Sequence, residues 1–293
     1  MSHLLADAFG CRVVVERRTH QIHGRPVGHT LQHSILCEDP DLGWLSRVLI
    51  LQKQKLVLCG IEKNAITTVN ALAARISGTR FSWFQFSPFS LAMMAPHSKS
   101  RAQELPNASA TLRWDDPTWR RAVILRDPVE RFFSAWASKC GSMRDHDGKR
   151  NCEDTFGFAS RENATVEAVA SRLRAHGARN AHWAPQAAFC NGSIASHWRD
   201  FTHRIDFANL TAGLLDLVRG RVAHDVLRAA ERELVAQRLP DGARFGAAHH
   251  AHAGASWLRR ERSSGSAGRV MRLLAEYYAP DVALYARLRA ERE

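Results

Sequence analysis

The chain has 293 residues, with 41 Lys and Arg against 29 Asp and Glu, a formal charge of +12. At 45 % hydrophobic and 24 % charged residues its composition is that of a globular protein, which excludes a disordered tail or a low-complexity scaffold. Lysine occupies only six positions, so 35 of the cations are arginine, whose rigid fork suits phosphate and sulfate oxygens. Nucleic acid, a nucleotide and an acidic polysaccharide are all candidate partners on charge alone.

Residues 1–50 are polar, rich in His and Arg between Gln21 and His33, and read as a lead-in with short strands before a main domain over 51–293. Residues 1–10 lack a basic segment followed by a long apolar stretch, so no signal peptide is expected there. No run reaches the roughly 18 apolar residues of a membrane-spanning helix.

The first strong element is Lys55-Leu-Val-Leu-Cys59, a short apolar run suited to a buried strand. A loop and a helix over 67–76 follow, closed by Gly78. The pattern recurs with a strand over 121–125, a turn at Arg126-Asp-Pro128, and a helix over 129–139 that Pro128 can open without an amide hydrogen. Between the two units, 82–116 is rich in aromatic residues, Ser and Pro and reads as an irregular excursion toward substrate. Helical periodicity returns over 166–176, 210–219, 222–237 and 269–278. Strand–loop–helix units followed by helices predict an α/β fold with a mainly parallel central sheet flanked by helices.

Ligands of open α/β sheets bind where strand carboxyl ends meet helix N-termini. Both predicted loops carry anion-binding chemistry there. The first, Cys59-Gly-Ile-Glu-Lys63-Asn-Ala-Ile-Thr67-Thr68, offers backbone N–H groups, hydroxyls and one ammonium. It is not a Walker A motif, because Lys63 stands four residues before Thr67, and this argues against an ordinary kinase or ATPase. The second, Arg126-Asp-Pro-Val-Glu-Arg131-Phe-Phe-Ser134-Ala-Trp136, places a strand-end guanidinium and a hydroxyl two helical turns apart.

The two loops together resemble the 5′- and 3′-phosphosulfate-binding loops of sulfotransferases, in particular the Golgi carbohydrate sulfotransferases of the chondroitin 4-sulfotransferase and HNK-1 type. Lys63, Ala65 and Thr67 match the first loop; Arg126, Pro128, Arg131, Ser134 and Trp136 match the second. His182-Trp183-Ala-Pro-Gln186 with Cys190, Ile205-Asp206-Phe207 with Asn209-Leu210, and Tyr277-Tyr278-Ala-Pro-Asp281 with Leu284-Tyr285 resemble further family segments in order. Glu62 stands where the family's first loop has proline. Beside the 5′-phosphate site it would pair with Lys63 and weaken donor binding.

The resemblance implies a P-loop-NTPase-like sulfotransferase fold and transfer of a sulfonate group from 3′-phosphoadenosine-5′-phosphosulfate (PAPS) to a sugar hydroxyl of a glycan or proteoglycan. Lys63, Asn64, Ala65, Ile66, Thr67 and Thr68 would surround the 5′-phosphate, with Lys63 steadying the leaving oxygen. Arg126 and Ser134 would hold the 3′-phosphate, with no metal required. A histidine suits the general base; His182 is the first candidate and His97 the second, with Glu62 and Asp127 behind them. The family lives in the Golgi lumen, anchored in its membrane. Six cysteines and the sequons at Asn107, Asn163, Asn191 and Asn209 favour a secretory lumen, with Cys140–Cys152 or Cys152–Cys190 as candidate bridges.

Other signals are weaker. His249-His250-Ala-His252 has no regular carboxylate or cysteine partner for a metal, and Arg259-Arg260-Glu-Arg262 reads first as a solvated loop. Phe81, Trp83, Phe84, Phe86 and Phe89 serve a core more readily than a sugar platform. A nucleic-acid-binding protein lacks any recognisable reading module here, so no nucleic acid partner is expected. A sulfotransferase-like protein that binds glycan without catalysis is the nearer alternative, motivated by Glu62.

Overall fold

The computed structural model describes residues 11–22, 25–37, 48–77, 116–140, 151–236 and 266–292. Strands β1 (Cys11–Ile22) and β2 (Arg25–Cys37) form an antiparallel pair, longer than the short strands expected of the lead-in. The main sheet has the order β3-β4-β5-β6: β3 (Val48–Leu51), β4 (Leu56–Cys59), β5 (Arg120–Leu125) and β6 (His203–Asp206). β4, β5 and β6 run parallel and β3 is an antiparallel edge. This is the expected α/β architecture with a mainly parallel sheet.

Residues alternate between the two faces of the sheet, as a period of two requires. Leu58, Ala122, Ile124 and Ile205 face one core, which is closed by α1 (Ile66–Ser77) through Val69 and Leu72. Val57, Cys59, Val123 and Leu125 face the other, closed by residues 181–201. Because β5 is covered on both sides, residues 121–125 are all buried, and the apolar run at its centre follows from that position.

α2 (Pro128–Lys139) starts where proline, free of an amide hydrogen, fits the first turn, and Asp127 Oδ1 caps it by accepting from Val129 N (2.9 Å) and Glu130 N (3.0 Å). Its Phe132 and Phe133 enter a third core with α3 (Asn151–Phe156), α4 (Val166–His176) and Trp183. The second pair of helices, α5 (Leu210–Val218) and α6 (His224–Ala236), packs on the α1 side of the sheet. A Cβ at Gly213 of α5 would lie 2.5 Å from Ile205, so glycine permits the close approach of α5 to β6. The chain then forms α7 (Ser266–Tyr277) and α8 (Ala279–Ala290). α8 lies beyond the last helix expected from the sequence, and its Leu284 and Leu288 bury against the 181–201 side. No helix among the described residues is long and apolar enough to cross a membrane.

Disulfides join Cys140 to Cys152 and Cys59 to Cys190. Cys140–Cys152 ties the end of α2 to α3 (Cα–Cα 5.2 Å), one of the two bridges anticipated. Cys190 pairs with Cys59 (Cα–Cα 6.0 Å), not with Cys152, because residues 181–201 cover the sheet face on which Cys59 ends β4. Removing the Cys140–Cys152 loop closure in a Cys140→Ser, Cys152→Ser protein is expected to lower unfolding free energy by about 3 kcal/mol, read from the urea midpoint.

Candidate active site

Loop 1 leaves β4 at Cys59 and enters α1 at Ile66. Lys63 and Ala65 both adopt left-handed backbone, φ +69° and +61°, on either side of Asn64. Side chains with a Cβ rarely take this conformation, so the loop stores strain that its surroundings must hold. Asn64 N is used within the loop, donating to Ile61 O (3.2 Å), so what the loop offers an anion is the N-terminus of α1 that follows it. The first turn of α1 carries no acidic side chain to oppose an anion. Thr67 is half-buried and Thr68 buried in that turn.

The structure places the Asn64 side chain inward. Its Nδ2 donates to Ile124 O (2.7 Å) on β5 and to Gln186 Oε1 (2.5 Å), so it ties the loop to the sheet. Lys63 reaches across to α2, where Nζ donates to Ser138 Oγ (2.5 Å).

Loop 2 begins with Arg126, 2 % exposed at the carboxyl end of β5. Its guanidinium stacks on Phe207, just beyond β6, at 4.2 Å from the ring centroid, and Nη1 donates to Lys63 O (3.3 Å). Nε and Nη2 are buried and donate no hydrogen bond; the exposed Glu130 carboxylate lies 3.6 Å from Nε. Burial holds this guanidinium below its ordinary pKa, and Glu130 only partly opposes that. A buried cation with two unused donors is an unfinished arrangement, which an anion would complete. Ser134 is buried on α2, eight residues beyond Arg126.

Arg131, matched to the motif of the second loop, turns inward. It is fully buried and donates three bonds to carbonyls: Nε to Glu62 O (3.0 Å), Nη1 to Ala184 O (2.7 Å) and Nη2 to Ala181 O (3.0 Å). One planar fork thus joins loop 1 to both flanks of His182.

Gln186 completes the bracing. Its Oε1 accepts from Arg126 N (3.0 Å) and its Nε2 donates to Arg126 O (2.9 Å), so one side-chain amide pairs with the end of β5 as a strand would. Gln186 is held in turn by Asp281 at the start of α8, whose carboxylate accepts from Gln186 N (2.7 Å) and Ala187 N (2.9 Å). Burial raises the pKa of Asp281, while nearby Arg131 and these N–H donors pull it down. Neither Gln186 nor Asp281 was singled out for the site in sequence; their partners lie 60 to 95 residues away.

His182 stands beside loop 1. Its N–H donates to Asn180 Oδ1 (3.0 Å), and ring Nδ1 lies 3.8 Å from Glu62 Oε2. Lys63, Arg126 and His182 are thus gathered at the carboxyl ends of β4 and β5. His97, the aromatic cluster at 81–89, the histidines at 249–252 and the arginines at 259–262 lie outside the described residues.

The family model described as "Sulfotransferase family" matches residues 46–286, more than half of the chain. No curated protein and no solved structure matches it.

Proposed function

The chain belongs to the sulfotransferase family, and on that premise we propose that it moves a sulfonate group from PAPS to a hydroxyl of a glycan or proteoglycan. The observation that carries this reading is Arg126: a buried guanidinium at a strand end, with two unused donors, beside a strained loop that opens a helix N-terminus. Two anion positions on adjacent parallel strands suit a donor with phosphates at both the 5′ and 3′ positions.

In this reading the loop 1 amides with Thr67 and Thr68 hold the 5′-phosphate, and Arg126 with Ser134 holds the 3′-phosphate. The acceptor oxygen attacks sulfur and gives up its proton to His182. The bond from sulfur to the bridging oxygen of the 5′-phosphate breaks, and adenosine 3′,5′-bisphosphate leaves. Lys63 steadies the charge that grows on that oxygen. The carbohydrate acceptor follows from the resemblance of the two loops to the carbohydrate branch. A Golgi lumen fits the two disulfides and the exposed sequon residues Asn163 and Asn209.

Calorimetry tests the donor. Adenosine 3′,5′-bisphosphate is expected to bind at least tenfold more tightly than AMP. Arg126→Ala should weaken the bisphosphate about 30- to 100-fold, the loss of charge-assisted bonds, and leave AMP nearly unaffected. Equal binding of the two nucleotides by the wild type would overturn the reading. Screening polysaccharides with labelled PAPS then identifies the acceptor.

A further inference from the structure

Glu62 breaks the resemblance of loop 1, and its position in the fold gives it a use. We propose that Glu62 is a positioning residue for His182: its carboxylate holds Nδ1 as the protonated ring nitrogen and turns Nε2 toward the acceptor hydroxyl. The inference rests on the reading of His182 as the base.

Three observations support it. Glu62 Oε2 is 3.8 Å from His182 Nδ1, with the two side chains only 16 % and 19 % exposed, so their interaction is weakly screened by water. The backbones carrying them are clamped to each other. Arg131 donates to the carbonyl of Glu62 itself and to Ala181 and Ala184 on either side of His182. The His182 amide is fixed on Asn180, whose Nδ2 donates to Thr155 Oγ1 (2.8 Å). The same two segments are joined covalently by Cys59–Cys190. A pair whose backbones are tied by one guanidinium and one disulfide is preorganised, and catalytic contacts that are long without substrate commonly tighten when it binds.

The chemistry follows from charge. When the ring takes a proton through Nε2 it becomes imidazolium among cations: Lys63 follows Glu62 directly, and Arg131 lies beneath both segments. Among the described residues Arg126 adds a further cation near Arg131, and burial favours the neutral form of Asp281, Tyr277 and Tyr278, which also lie near it. Glu62 is therefore the carboxylate beside the ring that offsets Lys63 and Arg131 as the proton arrives, and it sets the tautomer beforehand.

The test is nitrogen and carbon NMR of the His182 ring in the full chain, its signals assigned with His182→Gln, alongside calorimetry with adenosine 3′,5′-bisphosphate. Wild type is expected to show the Nδ1–H tautomer. In Glu62→Ala the tautomer shifts toward Nε2–H, and the titration midpoint falls by about one pH unit, a tenfold loss of proton affinity. Glu62→Gln keeps the side-chain volume and an accepting oxygen, so it guards against a folding failure. It should retain the Nδ1–H tautomer yet lower the midpoint similarly, whereas Glu62→Asp restores part of it. Bisphosphate affinity should not fall in any of the three. An unchanged tautomer and midpoint in Glu62→Ala and Glu62→Gln, with the bisphosphate still bound, overturns the positioning role and leaves the donor reading intact. A wild type that does not bind the bisphosphate overturns the donor reading instead.

Discussion

Lys63→Ala is expected to lower turnover at saturating donor by about 10²- to 10³-fold, the usual scale for removing one donor aimed at a developing oxyanion. Bisphosphate affinity should fall far less, because the amides of loop 1 and Arg126 remain. The ammonium now rests on Ser138 Oγ, across the loop mouth, so it is held within reach of the start of α1 without being buried. A group so placed stabilises charge that appears only as the bond to the bridging oxygen breaks, and its loss shows in kcat before it shows in binding. Alanine is a fair replacement, since Ala65 in the same loop already adopts left-handed backbone. Release of bisphosphate with the acceptor found by screening is the measurement. Turnover within threefold of wild type would remove Lys63 from the mechanism.

The second large effect is on stability. Arg131→Met should destabilise the fold by about 3–5 kcal/mol, because it leaves buried acceptors and a buried carboxyl without their cation. Three carbonyls, of Glu62, Ala181 and Ala184, lose their donor, and Asp281 loses a nearby positive charge. Arg131→Lys should recover only part, since one ammonium cannot serve three carbonyls in the plane of a guanidinium. The pH dependence has a definite sign. Burial already raises Asp281 above its ordinary value, so the folded state binds that proton more tightly than the unfolded chain. Such a group favours folding at acid pH, and this contribution is lost as pH rises through the folded value. Without Arg131 the carboxyl rises further, so the urea midpoint deficit should be larger at pH 7 than at pH 5. A deficit independent of pH would mean that Arg131 acts through its hydrogen bonds alone.

Much of this architecture is local in origin and so was legible along the chain. The β5–α2 unit is specified within twenty residues: an apolar run, a guanidinium at its end, Asp127 as cap, Pro128 in the first turn, and Ser134 two turns later. The β4–α1 unit is similar, although the inward turn of Asn64 depends on Ile124 and Gln186, sixty and more residues downstream. α8 went unread because its buried stripe, Asp281, Leu284 and Leu288, begins with a carboxylate while the apolar Val282 lies on the exposed side.

What the sequence by itself determined is therefore the frame of the proposed site: two loops at the ends of adjacent parallel strands, carrying the cations and hydroxyls that an anionic donor would need. Local hydrogen bonds and hydrophobic periodicity act over a few residues, and that is enough for strands, caps and loop composition. Only the tertiary structure decided which of those polar groups work outward and which are braces. Arg131 and Asn64 turn inward because buried carbonyls of distant segments must find donors. Arg126 keeps two donors unused, Cys190 finds Cys59 across the sheet, and Glu62 meets His182 because one guanidinium holds both backbones. Those outcomes belong to packing between segments up to 131 residues apart, where no local rule reaches.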